Sequence, residues 1–202
     1  MAKDFFAHKA GDYDTGANRH NNVDRIAEGI RAKVELRPDM EIMDFGSGTG
    51  LLLERIGPHV NKVVAVDVSP SMIAELAKKQ DSLSCDIEML ELDLTRDTLA
   101  RQFDGIISSM TMHHIADINA MFRRFHDLLK PGGFVAIADL DKEDGTFHEE
   151  DTGVHHHGFE AETLGSAADA AGFQEVSVDA VSSFAKEERE YPVLLLSAKR
   201  PL

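Results

Sequence analysis

Asp44-Phe45-Gly46-Ser47-Gly48-Thr49-Gly50 is the stretch on which the fold turns. Just ahead of it, Ile42-Met43 and then Phe45 form a short apolar run, as expected of a buried strand. Three glycines at alternate positions follow, and Leu51-Leu52-Leu53-Glu54-Arg55-Ile56 reads as the start of a helix. Glycine at such a junction permits positive φ and lets a ligand approach bare backbone. The helix start presents unpaired N–H groups, a natural seat for a carboxylate or phosphate. The stretch therefore reads as a ligand-cradling loop between strand and helix.

Outward from this loop, strands and helices alternate. Asn18 to Val34 carries apolar residues at helical spacing, ended by Leu36-Arg37-Pro38-Asp39. Strands are predicted at Glu41–Phe45, Lys62–Asp67, Asp86–Leu90, Phe103–Ser109 and Phe134–Leu140. Helices are predicted between them at Leu51–Ile56, Ser71–Lys79, Thr95–Arg101 and Ile118–Leu129. Lys130-Pro131-Gly132-Gly133 reads as a turn feeding a strand. Such alternation argues for a parallel sheet covered on both faces. Asp141 to Gly158 is acidic, His-rich and aperiodic, so it reads as a loop. A helix over Glu160–Ala171 and two strands, Phe173–Val181 and Tyr191–Ala198, close the chain as a hairpin at the sheet edge. Residues 1–202 read as a single domain, with an N-terminal segment and helix over 1–37 and a loop over 141–158.

Composition narrows the partners. The net charge of −15 and the lack of clustered Lys and Arg argue against nucleic acid. No apolar stretch approaches a membrane span, and the N-terminus lacks a secretory pattern. The single cysteine, Cys85, excludes a disulfide framework and a multi-thiolate metal site. A cytoplasmic location is expected.

Taken together, the motifs resemble those of class I S-adenosylmethionine-dependent methyltransferases of the small-molecule type. The glycine loop resembles the family's first motif, and Val63-Val64-Ala65-Val66-Asp67-Val68-Ser69 its second strand, ending in an acidic residue. Leu92-Asp93-Leu94, Phe103-Asp104-Gly105-Ile106-Ile107-Ser108-Ser109 and Leu128-Leu129-Lys130-Pro131-Gly132-Gly133 follow in the family's order. The resemblance implies a Rossmann-like, doubly wound α/β fold. Its seven-stranded sheet is mostly parallel with a C-terminal antiparallel strand, and helices lie on both faces. It implies S-adenosylmethionine as cofactor, S-adenosylhomocysteine as its product and a small-molecule acceptor. By the same resemblance, Gly46, Ser47 and Gly48 admit the methionine and ribose part and Asp67 holds the ribose. Val68 and Met72 flank the adenine, Asp93 and Leu94 meet its edge, and Ser109 lies nearby.

Each reading has a plainer structural alternative. Asp67 could cap the next helix, but Ser69, followed by Pro70, is the better cap and leaves Asp67 for a ligand. Asp93 could be a turn residue, with Thr95 capping the next helix. Asp44 either shapes the glycine loop or touches the cofactor. His113 and His114, after the fourth strand, could act as general bases or be structural. His155, His156 and His157, with His148 and nearby acids, could line the acceptor pocket, lie in solvent or bind metal, and metal is the least favoured. Tyr13, with Phe5 and Phe6, is either a lid residue or a packing anchor.

The acceptor atom (O, N, S or C) stays open. The residues after strand four, Ser109-Met110-Thr111-Met112, lack the Asn- or Asp-Pro-Pro-aromatic signature of methyltransferases acting on nucleic-acid amino groups. A non-catalytic cofactor-binding protein on the same fold is one rival. A nicotinamide oxidoreductase is another, disfavoured because Leu51 stands where a dinucleotide loop needs its third glycine.

Overall fold

The computed structural model describes residues 4–148, 150, 152–186 and 189–202. The chain runs α1 (Ala17–Lys33), β1 (Glu41–Phe45), α2 (Leu51–Ile56), β2 (Lys62–Asp67), α3 (Pro70–Lys79), β3 (Asp86–Glu91), β4 (Phe103–Ser109), α4 (Ile118–Leu128), β5 (Leu129–Leu140), α5 (Ala161–Ala170), β6 (Gln174–Lys186) and β7 (Arg189–Lys199). The seven strands form one sheet in the order β3-β2-β1-β4-β5-β7-β6. The first five are parallel, and β7 runs antiparallel to both β5 and β6.

Strand alternation divides the core between the two faces. In β5, Val135 and Ile137 join a cluster with Phe122, Phe125 and Leu128 of α4 and Leu164 and Ala168 of α5. Phe134, Ala136 and Ala138 face the other way, into a cluster with Ile26 and Ile30 of α1, Leu52, Leu53 and Ile56 of α2 and Leu76 of α3. A strand with apolar side chains on both faces must be covered on both, which is the pattern expected of parallel strands. Helix starts follow their caps. The Ser69 hydroxyl accepts from the Met72 N–H at 3.2 Å with Pro70 behind it, and Asp117 Oδ1 accepts from the Ala120 N–H at 2.9 Å.

One predicted element is absent: no helix forms over Thr95–Arg101. Asp93, not Thr95, organises the turn there, its Oδ1 accepting from the Thr95 N–H at 2.9 Å and the Thr95 hydroxyl at 2.6 Å. A seven-residue segment is short for a helix nucleus, and its end is drawn out by Arg101, which pairs with Glu41 and Glu88 across β1 and β3. The Lys130–Gly133 turn lies inside β5 as a looped-out segment: the β4 register jumps from Phe103–Leu129 to Gly105–Phe134 around it.

Strand order reverses between β1 and β4, so the connections after these neighbours leave on opposite faces. A crevice opens there beyond the carboxyl ends of the strands, the usual ligand position in such sheets.

Candidate cofactor and acceptor site

The glycine loop closes β1 onto β2. The Gly46 and Ser47 N–H groups donate to the Val66 carbonyl at 2.8 and 3.2 Å. The Gly48 N–H donates to Asp67 Oδ2 and the Ser69 N–H to Asp67 Oδ1, both at 2.8 Å. Asp67 thus holds the loop and keeps further oxygen lone pairs for a ligand; burial raises its pKa. At Gly46, with φ +69°, a Cβ would stand 2.2 Å from the Thr111 side chain. At Gly48, with φ +54°, a Cβ would meet nothing within 4 Å, so that position faces open space.

That space is a cleft in two adjoining parts. The larger, about 650 Å³, is lined by Asp67, Val68, Met72, Asp93, Leu94 and Ile115 among others. The smaller, about 500 Å³, is lined by Asn22, Asp44, Ser47, Met110, His113 and His148 among others. Tyr13, Gly46, Gly48, Ser109 and His114 line both. Val68 is 62% exposed, unusual for valine, and its apolar face looks into the larger part. Asp93 is there too, but one carboxylate oxygen is engaged by Thr95.

Asp44 is buried, and its Oδ2 has no hydrogen-bond partner among the described residues. Burial, with the nearby Asp67 carboxylate, pushes its pKa up to about 8. Both side-chain atoms of Asn22, the Ser47 hydroxyl and His148 Nε2 are likewise buried without a partner.

Three histidines meet at the floor of the smaller part. His113 Nδ1 lies 2.7 Å from Asp139 Oδ1, and the His113 N–H donates to Asp139 Oδ2 at 3.2 Å. Burial alone would raise the Asp139 pKa, but His113 and its hydrogen bonds hold it below the usual value. His114 and His148 stack against His113 with ring centroids 4.3 and 5.0 Å away. Burial, then the adjacent His113, lowers both their pKa values to about 4, so both rings are neutral at pH 7. His155 reaches the larger part of the cleft, and its N–H donates to the His113 carbonyl at 2.9 Å. His156 and His157 do not join them: His156 Nε2 is 2.9 Å from the Ile115 carbonyl, and His157 sits 3.5 Å from Glu143. Among the described residues no group of three or more His, Cys, Asp or Glu is placed to hold a metal ion.

The N-terminal segment covers the cleft. Asp4 accepts from the Ser69 and Ser71 hydroxyls at 2.9 and 2.7 Å, Phe6 packs edge-on to His114, and Asp14 accepts from the Thr49 hydroxyl at 2.6 Å. Tyr13 lies beneath the Arg19 guanidinium, 3.8 Å from its ring centroid. Lys9 pairs with Glu150 of the 141–158 loop at 2.8 Å, joining the two covering segments.

Residues 18–178 match the family described as a methyltransferase domain, most of the chain. The chain belongs to the methyltransferase-domain family. An uncharacterized methyltransferase of Schizosaccharomyces pombe is 33% identical over 135 residues, 59% of this chain and 48% of that protein. Phosphoethanolamine N-methyltransferase 1 of Zea mays is 33% identical over 153 residues, 71% of this chain and 30% of that protein. This chain thus spans less than half the length of these relatives. Among solved structures, a DhpI–SAH complex superposes with a TM-score of 0.75 at 21% identity, covering 98% of this chain and 94% of that one.

The solved neighbour holds SAH, and the cleft of this chain fits a ligand of that kind. Open space beside Gly48, a carboxylate at Asp67, an apolar face at Val68 and the unpartnered carboxyl of Asp44 match a thioether-linked nucleoside and amino acid. Sequence reasoning placed His148 among the candidates for the acceptor pocket and missed Asn22 and Asp139 as residues of the site. Asp139 reads as one more strand residue, and only the pairing of β4 with β5 brings it beneath His113. Asn22 was hidden by the helical periodicity of α1, although a polar residue beside the apolar stripe of Val23 and Ile26 is the signal that could have found it.

Proposed function

We propose that this methyltransferase domain transfers a methyl group from S-adenosylmethionine to a small-molecule acceptor, with His113 as the general base. The observation that carries this reading is the buried His113–Asp139 pair on the wall of the cleft that also holds the glycine loop. S-adenosylmethionine supplies an electrophilic methyl group on a sulfonium, so the chain's own task is chiefly positional. Holding donor and nucleophile in line lowers the barrier by several kcal/mol, up to roughly 7–11 in well-oriented reactions.

Asp67 and Val68 orient the nucleoside, and the glycine loop admits the rest without side-chain obstruction. Asp139 fixes the His113 ring through Nδ1, leaving Nε2 to take the proton that the acceptor loses, and its carboxylate stabilises the imidazolium that results. Tyr13 and Phe6 close the cleft, and water exclusion strengthens each of these polar contacts. Tyr13 and His155 lie where an acceptor would pass; the other two loop histidines do not enter the scheme.

The names of the sequence relatives direct the first acceptors to be tried. Phosphoethanolamine and other small amines come first, then phenols, alcohols and thiols, with S-adenosylhomocysteine formation as readout. Turnover by the wild type that falls about 100-fold or more in His113→Gln, with S-adenosylhomocysteine affinity unchanged, supports the reading. Equal turnover in that variant would remove His113 from the mechanism.

A further inference from the structure

His148 lines the smaller part of the cleft, with its Nδ1 3.3 Å from the Thr152 hydroxyl. Its Nε2 is buried with no hydrogen-bond partner among the described residues. Buried polar atoms are paired in nearly all folded proteins, so an unpaired nitrogen beside a cavity points to a bound group that pairs it. The His148 and His113 ring centroids are 5.0 Å apart, so a group held by one ring is within reach of the other.

The surroundings of this nitrogen are aromatic. Phe147 meets His148 edge-on at 4.9 Å and Phe184 at 5.5 Å, and Phe6 and Tyr13 line the same chamber. Aromatic walls of this kind favour a flat ring packed against them, and a chamber of about 500 Å³ has room for one.

The charges around the chamber are already answered. Lys9 pairs with Glu150 at 2.8 Å, and Arg19 lies over the Tyr13 ring and donates to the Tyr13 carbonyl. Lys186 donates to the Phe147 carbonyl at 2.7 Å and lies 4.8 Å from the Phe147 ring. His114 and His148 are neutral at pH 7, and buried Asp44 favours its protonated form there. Asp12 is exposed, where water screens it. A phosphate entering here meets cations that are already engaged, and an ammonium meets no unengaged ionised carboxylate inside. Burying either charge unpaired is costly.

We propose that the smaller part of the cleft is an acceptor chamber for an uncharged phenol, held through its hydroxyl by His148 and deprotonated by His113. The inference rests on the methyl-transfer reading above. With the Thr152 hydroxyl donating to Nδ1, the ring hydrogen of His148 sits on Nε2 and is donated to the phenol oxygen. That oxygen bonds the methyl carbon as the carbon–sulfur bond breaks, the electron pair returns to sulfur, and the phenol proton passes to His113 Nε2.

Three acceptors that share one ring and one hydroxyl test the class. 4-Ethylphenol is neutral, tyramine carries an ammonium and 4-hydroxyphenylacetate a carboxylate. Turnover at pH 7 is read as S-adenosylhomocysteine formation, and 4-ethylphenol binding by calorimetry on the S-adenosylhomocysteine complex. For 4-ethylphenol kcat/KM is expected to exceed that of either charged analogue, and of phosphoethanolamine, by about 10-fold or more. His148→Phe keeps a ring without its nitrogens. It is expected to weaken 4-ethylphenol about 10-fold, in KM and in calorimetry, with S-adenosylhomocysteine affinity within about threefold. His148→Gln, which restores a polar atom near the place of Nε2, is expected to recover most of that loss. Equal or faster turnover of a charged acceptor, no turnover of 4-ethylphenol, or unchanged affinity in His148→Phe overturns the chamber and leaves methyl transfer standing. Wild-type protein that does not bind S-adenosylhomocysteine defeats the methyl-transfer reading itself.

Discussion

His113 Nδ1 and Asp139 Oδ1 lie 2.7 Å apart, and neither side chain is more than 2% exposed. The two come from different connections of the sheet, the segment after β4 and the end of β5, and meet because those strands are parallel neighbours. A carboxylate this deep is stable only with the donors it has here: the His113 ring, the His113 N–H and the Leu140 N–H.

Asp139→Asn should therefore cost both stability and turnover. Removing one partner of a buried pair is worth about 3–5 kcal/mol, which would appear as a melting temperature lower by several degrees or more. At a temperature where the variant is still folded, turnover should fall while S-adenosylhomocysteine affinity holds. Unchanged turnover would mean that the pair is structural only.

Asp67 carries the second prediction. Asp67→Ala should weaken S-adenosylhomocysteine about 100-fold or more, because the ribose loses its acceptor and the Gly48 N–H loses its anchor. Equilibrium binding that is unchanged would remove the ribose assignment. Val68→Ala is the milder companion: since Val68 is largely exposed, affinity should drop a few-fold with no change in melting temperature.

The glycines separate folding from binding. Gly46→Ala places a Cβ 2.2 Å from Thr111 at positive φ, so the loop must shift and stability should fall by about 2 kcal/mol or more. Gly48→Ala has room for its Cβ and incurs mainly the backbone strain, about 1 kcal/mol. Both should impair S-adenosylhomocysteine binding, but only Gly46→Ala should show a large loss in thermal unfolding. Equal melting temperatures would refute the packing argument.

Stability should depend on pH in opposite directions across two windows. His114 titrates near 6.5 when unfolded and about 4 when folded, so between these values the unfolded state binds more protons and stability rises with pH. His148 acts in the same direction, reduced by its partial exposure. Asp44 works the other way: its folded pKa is raised from 3.8 to about 8, so it lowers stability as pH climbs through that range. Asp44→Asn should thus raise the melting temperature most at pH 8, and His114→Gln should flatten the acid limb between pH 4 and 6. Unfolding curves from pH 4 to 9 decide both; a variant that tracks the wild type at every pH contradicts its assignment.

The comparison between sequence and structure follows interaction range. The ends of β1, β2 and β4 and of α2 match the sequence reading because apolar runs, glycines and prolines act within a few residues. The cap at Ser69 was legible for the same reason. The helix over Thr95–Arg101 failed because Arg101 answers to Glu41 and Glu88, partners on other strands. His155, His156 and His157 look alike in sequence, yet only His155 reaches the cleft, because Ile115 and Glu143 hold the other two.

By itself the sequence determined the alternating α/β architecture, the glycine loop and the acidic residue at the end of β2, since each is written in local spacing and residue type. Tertiary structure decided which polar residues converge. Strand order brought Asp139 to His113, and the packing of α1 set Asn22 on the same cavity as Asp44. Burial and the approach of groups far apart in the chain set both placements, and neither is a property of any short stretch of sequence.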